Sequence, residues 1–186
     1  MAHVLTKSVA ALTAVVAAVA VLAACSQTIP GLPGGTGPGT VGQLGEADGL
    51  VVDHVAVDAD VPAVTNLDPR LRKAIRRAAR AAESEGVAMH LTSGWRSQRY
   101  QQFLYDDAVR RGGAEAAARL VASPAESEHV TGDAVDVGPT DAAYWMDRYS
   151  ERFGLCRTYA NEVWHYELRN GSSCPEQVSD ASARQR

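Results

Sequence analysis

This 186-residue sequence has no excess of positive charge and contains few cysteines. Its 18 Lys and Arg residues are outnumbered by 22 Asp and Glu residues, which gives a net charge of −4. Because contacts to nucleic-acid phosphates need a basic surface, nucleic-acid binding is not expected. With three cysteines, a zinc site built from thiolates is disfavoured. Hydrophobic residues at 46% and charged residues at 22% exclude wholesale disorder and a polytopic membrane protein, and the length suits one domain with tails.

The amino terminus has the pattern of a bacterial export signal. Lys7 precedes an apolar run at residues 8–24, which ends in the tetrapeptide Leu-Ala-Ala-Cys at residues 22–25. This tetrapeptide resembles a lipobox, which predicts a lipoprotein signal peptide at residues 1–24 and lipidation of Cys25. At 17 residues the run is at the lower limit for a membrane-spanning helix, which needs about 20. Two alternatives stay open: an uncleaved membrane anchor, and an ordinary signal that leaves a free Cys25 thiol.

The composition changes abruptly after the apolar run. Residues 26–49 contain three prolines and eight glycines in 24 positions, which cannot build a core. We therefore expect Cys25 and this linker, residues 25–49, to form a flexible tether of roughly 25–30 Å between the membrane and a folded domain. The domain is predicted at residues 50–175, followed by a polar, frayed tail at residues 176–186. We expect a monomer.

Within the domain, the periodicity of apolar residues predicts an α+β fold. Strands separated by helices, with the last two strands joined locally, favour a small, mostly antiparallel sheet flanked by helices. Helices are predicted from the Asp-Pro cap at residue 68 to Gly86, from the Ser97 cap to the glycine pair at 112–113, and from the Thr140 cap to about Gly154. Strands are predicted at residues 87–91, 155–159 and 163–169.

Three segments contain residues suited to chemistry. They are Ser-Gly-Trp-Arg-Ser at 93–97, a segment with His129 and Asp136, and Glu-Val-Trp-His at 162–165. Two imidazoles and one carboxylate form the kind of set that holds a catalytic zinc and leaves a fourth position to water. His129 and Asp136 are seven residues apart, about 10.5 Å along a helix or 23 Å along a strand, so a shared ion requires a bend. Gly132 would permit that bend.

Together the segments resemble the zinc D-Ala-D-Ala carboxypeptidases and dipeptidases, the VanY-like peptidases of bacterial cell walls. The family pattern is Ser-Gly-aromatic-Arg-Ser, then Ser-x-His-x-x-Gly-x-Ala-x-Asp, then Glu-x-Trp-His, and the chain meets every fixed position across about residues 67–168. Family members often have proline where this chain has Val163. Glu162 and His165 would face opposite sides of a regular strand, so both reach one metal only if the chain turns at 162–163.

The resemblance implies a role for each motif residue. His129, Asp136 and His165 would bind Zn²⁺. Glu162 would be the catalytic base for a zinc-bound water that attacks the peptide carbonyl. Arg96 would contact the substrate together with Ser127, and would stabilise the oxyanion as a second electrophile. Trp95 and Trp164 are expected to line the site.

The resemblance also implies a substrate, the peptidoglycan stem peptide ending in D-Ala-D-Ala. We therefore predict a D-alanyl-D-alanine carboxypeptidase facing the cell envelope. A dipeptidase or endopeptidase of the same family stays open, because loops around the cleft decide between them. A non-catalytic, metal-stabilised binding lipoprotein is the other alternative. It would leave Glu162 as a solvated turn residue and Arg96 as a surface charge.

The two remaining cysteines, Cys156 and Cys174, form an even pair in a domain predicted to be exported, where disulfides persist. A bridge between them would bracket the strands that contain Glu162 and His165. Two separate buried thiols are the alternative.

Overall fold

The computed structural model describes residues 44–184, so the predicted signal peptide, Cys25 and most of the linker lie outside the described residues. The described chain forms one four-stranded sheet and five α-helices. The helices are α1 (Pro62–Thr65), α2 (Pro69–Ser84), α3 (Gln98–Leu120), α4 (Glu128–Thr131) and α5 (Thr140–Tyr149). The strands are β1 (His90–Ser93), β2 (Ala134–Gly138), β3 (Leu155–Arg157) and β4 (His165–Leu168). No helix within residues 44–184 is long and apolar enough to cross a bilayer.

The sheet has the order β1-β2-β4-β3, and every neighbouring pair is antiparallel. This confirms the predicted fold class. The central pair, β2 and β4, places Asp136 directly opposite His165. The β3 and β4 strands confirm the predicted local pair, with shorter bounds. Strand β1 begins at His90 rather than at residue 87, because His90 pairs with Gly138 and the next partner, Pro139, has no N–H to donate.

The two faces of the sheet carry different kinds of side chains. Helices α2 and α5 cover one face and bury the apolar core, to which Val135, Val137 and Tyr166 point. Because side chains alternate along a strand, Asp136, His165 and Glu167 point to the opposite face. Asp136 and His165 thus rest on a sheet whose other side is packed.

The helix signals in the sequence are confirmed with small changes. The Asp68 side chain accepts the Arg70 N–H at 2.6 Å, and Ser97 accepts the Tyr100 N–H at 3.2 Å, so both predicted caps form. The predicted break at the glycine pair lies at Gly113, whose backbone is not helical. Thr140 is the first residue of α5 rather than its cap.

The chain packs against the domain on both sides of the predicted bounds. Asp48, expected in the linker, is buried, and its carboxylate accepts hydrogen bonds from Ser97 at 2.8 Å and from the Arg99 guanidinium. In the expected tail, Val178 donates to the Thr158 carbonyl at 3.0 Å and accepts from the Ala160 N–H at 2.8 Å. The tail is therefore hydrogen-bonded to the domain as far as Arg184 rather than frayed.

Asp48 provides a test of the amino-terminal contact. Hydrogen bonding to Arg99 lowers the pKa of Asp48 from 3.8 to about 2. Asp48→Asn is expected to lower the free energy of unfolding by about 1–3 kcal/mol near neutral pH, because it removes the ion pair between the buried Asp48 carboxylate and the Arg99 guanidinium. The pKa of Asp48 is lower in the folded state than in the unfolded state. The stabilisation is therefore complete at pH values above the unfolded-state pKa, and it is lost as the pH falls through the folded-state pKa.

Denaturant unfolding of chelator-treated wild type and Asp48→Asn at about pH 6 and about pH 3 measures this effect. The stability gap between the two proteins should be smaller at the lower pH. A gap of the same size at both would show that the Asp48 charge contributes nothing.

The predicted cysteine bridge is present. Cys156 on β3 and Cys174, which are 18 positions apart in the sequence, form a disulfide with a Cα–Cα distance of 5.5 Å. Closing a loop of this length is worth about 3 kcal/mol on the chain-entropy model. Intact-mass analysis of protein purified without reductant should show a mass two hydrogens lower than the dithiol, and reduction should lower the melting temperature. Two alkylatable thiols in the native protein would contradict this prediction.

Candidate active site

His129, Asp136 and His165 come together although they lie on three different elements. Asp136 and His165 are register partners in the sheet, and His129 on α4 reaches them because the chain bends at Gly132, whose φ is +84°. A Cβ at Gly132 would lie 2.6 Å from the Asn66 carbonyl oxygen, so only glycine fits this bend. This confirms the predicted bend between His129 and Asp136.

The three side chains are buried and direct one donor atom each to a common point. His165 Nδ1 lies 3.1 Å from Asp136 Oδ1, and His129 Nε2 lies 3.3 Å from His165 Nδ1 and 3.4 Å from Asp136 Oδ1. Zinc bonds of about 2.0–2.1 Å in a tetrahedron separate neighbouring donor atoms by about 3.3 Å. The spacing and the chemistry of this donor set therefore fit Zn²⁺.

The outward-facing nitrogens of both histidines have partners of their own. His129 Nδ1 lies 2.8 Å from the Gly94 carbonyl oxygen, and His165 Nε2 lies 3.1 Å from Glu167 Oε1. These acceptors place the ring protons on Nδ1 of His129 and Nε2 of His165, and leave the inward-facing nitrogens for a metal. Gly94 is required at its position, because a Cβ there would lie 2.1 Å from the Ala63 carbonyl oxygen. Glycine in the first motif therefore permits a close approach of two backbone segments.

Electrostatics also suit a metal centre. Burial lowers the pKa of His129, which favours the neutral imidazole that a metal needs. Burial alone would raise the pKa of Asp136, but His129, His165 and Arg96 together hold it well below its usual range. The site therefore presents an Asp136 carboxylate and a neutral His129 imidazole at neutral pH. Burial opposes the charged form of His165, but hydrogen bonds to Asp136 and Glu167 raise its pKa to about 9, so a metal at Nδ1 would displace a proton.

Glu162 lies beside the donor set as the sequence predicts. Its Oε2 is 3.8 Å from His165 Nδ1, and burial raises the pKa of its carboxyl group. The chain turns between the two residues, since the His165 N–H donates to the Glu162 carbonyl at 3.3 Å. Valine at position 163 therefore permits the turn that proline would favour. A carboxylate with a raised pKa next to a metal site is suited to accept a proton.

Arg96 touches the metal-binding group directly. Its Nη2 donates to Asp136 Oδ2 at 2.8 Å, Nε donates to Ser93 Oγ at 2.8 Å, and Nη1 donates to Gln101 Oε1 at 3.1 Å. Arg96 thus orients the carboxylate whose other oxygen faces the histidines. Gln101 was missed by sequence reasoning; its place on the first turn of α3, five residues after Arg96, is the signal that could have found it.

The remaining predicted site residues are divided. An open cleft leads from the surface to the donor set. Buried Ser127 and half-exposed Trp164 both line it. Trp95 does not: its side chain is partly buried and packs against the apolar core. The expectation that Trp95 lines the site is therefore wrong.

An open cleft of about 490 Å³ leads to these residues. One end contains the donor set with Arg96, Ser127 and Glu162. Along α3 the cleft is lined by apolar side chains, including Leu104, Ala117 and Leu120, together with Asp107 and Arg111. The cleft joins a polar reaction centre to an apolar surface that can exclude water.

Residues 64–170 match the family model described as VanY, D-alanyl-D-alanine carboxypeptidase. The chain belongs to the VanY family. The matched range includes Arg96, Ser127, the three donor residues and Glu162, and it confirms the resemblance read from the motifs. It ends before Cys174 and Arg184.

Known VanY relatives are similar in sequence and in structure. A D-alanyl-D-alanine carboxypeptidase of Enterococcus faecalis (strain ATCC 700802 / V583) is 33% identical over an alignment of 112 residues, and the match covers 46% of this chain and 42% of that protein. The chain thus spans about two fifths of the length of the curated relatives it matches. The solved VanY D,D-pentapeptidase from a VanB-type resistance cassette, in complex with Zn(II), is 30% identical with a TM-score of 0.52, over 55% of this chain and 72% of that one.

A second solved structure, VanYB in complex with D-alanine-D-alanine, is 30% identical with a TM-score of 0.51. It covers 55% of this chain and 71% of that chain. These matches agree with the antiparallel sheet and flanking helices described above.

Proposed function

We propose that this chain is a zinc-dependent D-alanyl-D-alanine carboxypeptidase that acts on peptidoglycan stem peptides. The observation that carries the proposal is the position of Glu162, partly buried beside the His129, Asp136 and His165 donor atoms in an open cleft. A metal held only for stability would not need a carboxylate with a raised pKa at that place. The Zn(II) and D-alanine-D-alanine complexes of the two similar VanY structures support the same activity.

Each group of site residues has a separate role in peptide hydrolysis. When bound by His129, Asp136 and His165, zinc supplies Lewis-acid activation of water and of the peptide carbonyl. Glu162 accepts the proton of the attacking water at a carboxylate oxygen and returns it to the leaving amine. Arg96 holds Asp136 in place and keeps a positive charge next to the oxygen that becomes negative. The apolar part of the cleft excludes water around the substrate.

Recognition of a free carboxylate distinguishes a carboxypeptidase from its alternatives. Arg96 and Ser127 line the cleft beside the donor set, and a cation with a hydroxyl donor can bind a terminal carboxylate through charge-assisted hydrogen bonds. An amide at that terminus would lose those bonds. Hydrogen bonds to charged groups are worth about 1.5–3 kcal/mol, which corresponds to roughly 10–100-fold in rate.

The experiment compares a stem pentapeptide ending in D-Ala-D-Ala with its C-terminal amide, using zinc-loaded protein. Free D-alanine should be released from the acid, and the amide should be cut at least about 10-fold more slowly. Equal rates would replace the proposal with an endopeptidase. The free dipeptide D-Ala-D-Ala is the third substrate, and cleavage of this dipeptide but not of the pentapeptide would indicate a dipeptidase. No cleavage of any of the three would favour the binding lipoprotein.

We also propose that the protein is exported and held at the membrane by a lipid on Cys25. The proposal rests on the lipobox-like tetrapeptide at residues 22–25 and on the glycine- and proline-rich segment that follows. Cys25→Ser should move the protein from the membrane fraction to the soluble fraction, because one lipid anchor is lost. Unchanged membrane retention would support an uncleaved apolar helix instead.

A further inference from the structure

The carboxyl-terminal segment, residues 176–184, reaches the candidate active site from outside the family match. It follows Cys174, which the disulfide ties to β3, and its Val178 forms a β-bridge with Tyr159. Ala181 lines the cleft, and Arg184 is the last residue that the structure describes. The segment therefore contributes to the surroundings of the site, although no sequence motif predicts it.

Arg184 is the main contact of this segment. Its Nη1 and Nη2 donate to the two carboxylate oxygens of Glu167 at 2.6 and 2.9 Å, and Nη2 also donates to Glu128 Oε1 at 3.0 Å. Nη1 donates to the Tyr159 hydroxyl at 3.1 Å. The guanidinium thus grips Glu167 with two parallel bonds, a geometry that fixes the plane of the carboxylate.

Each partner of Arg184 adjoins a predicted zinc ligand. Glu167 Oε1 accepts from His165 Nε2 at 3.1 Å, and the Tyr159 ring packs against the His165 ring at 5.0 Å between centroids. Glu128 directly precedes His129 in α4. A chain of hydrogen bonds therefore runs from Arg184 through Glu167 to the ring that must present Nδ1 to the metal.

We propose that Arg184 is a positioning residue for the zinc site, and that it acts by fixing Glu167 against the Nε2–H of His165. The inference deepens the proposed function and rests on it. Glu167 is 8% exposed, so its carboxylate needs a countercharge to stay in place. With Arg184 bound to both oxygens, Glu167 holds the His165 ring in the orientation that points Nδ1 at Asp136 and His129. Partners of this kind typically contribute 10–100-fold to metal affinity.

The test measures the zinc dissociation constant by competition with a chelator in Arg184→Met, Arg184→Lys and Glu167→Gln. We expect about 10–100-fold weaker binding in Arg184→Met and Glu167→Gln. The zinc dissociation constant of Arg184→Lys should lie between those of these two variants and that of wild type, because lysine keeps the charge but not the two parallel hydrogen bonds. Excess zinc should restore most of kcat in Arg184→Met. Arg148→Met, an exposed site on α5, is the control and should bind zinc as wild type does.

The double variant Arg184→Met/Glu167→Gln shows whether Arg184 acts through Glu167. It should bind zinc no more weakly than Glu167→Gln alone. Wild-type affinity in Arg184→Met, or losses that multiply in the double variant, would overturn the inference. If Arg184→Met lacks a cooperative melting transition, Arg184→Lys decides. If zinc-loaded wild type releases no D-alanine, the proposed function fails, whereas the affinity ratios still test Arg184.

Discussion

Glu162→Gln should keep the bound zinc and the fold but lose D-alanine release by about 10²–10⁴-fold, the range that general acid–base catalysis contributes. Glutamine has nearly the same shape as glutamate, but its amide cannot accept the proton of the attacking water. Glu162 lies 3.8 Å from a donor atom and is not one of the three donors, so metal binding should survive the change. Zinc content per chain, melting temperature and kcat measured on one preparation check the prediction.

Glu151→Gln is the matched control for this change. Glu151 is exposed in the 3₁₀ turn Ser150–Phe153, on the side of the sheet covered by α2 and α5, and its loss should not affect turnover. Turnover near the wild-type rate in Glu162→Gln would place the base elsewhere. A large loss of zinc in that variant would instead make Glu162 a metal ligand.

His165→Ala should lower zinc affinity by more than about 100-fold and abolish D-alanine release together. The change removes one of three donor atoms, a larger loss than that of an outer partner such as Glu167. It also leaves the buried Asp136 carboxylate without one of its hydrogen-bond partners. Metal analysis after dialysis and activity at fixed zinc measure the two effects.

His54→Ala provides the comparison for this experiment. His54 stacks on His90 and pairs with Asp53, away from the cleft residues, so its loss should change neither zinc content nor turnover. Full zinc occupancy in His165→Ala would show that the three residues do not hold the metal.

The inner part of the site was predictable because its signals are local. Each motif residue lies within a short segment whose spacing is visible, and the glycines at 94 and 132 explain why those segments can bend and approach one another. The Asp68 and Ser97 caps were predictable for the same reason. Each requires only a side chain and the backbone N–H two or three residues later.

The outer part could not be predicted from local signals. Asp48 and Arg184 lie in segments whose composition is typical of a linker and of a polar tail. Their partners are far away in sequence: Asp48 binds Arg99 across 51 residues, and Arg184 binds Glu128 across 56. Only the folded chain brings such charges together. Trp95 shows the reverse case, since its place in a site motif predicts a cleft position but its partly buried side chain packs against the core.

The most direct test of the account measures zinc and D-alanine in the same samples. Wild type and Glu162→Gln, each reconstituted with zinc, would be incubated with a stem pentapeptide ending in D-Ala-D-Ala. The account predicts about one zinc per chain in both proteins, because one ion fits the three donor residues. It predicts release of free D-alanine by the wild type alone. A wild-type chain that is fully loaded with zinc and releases no D-alanine would contradict it.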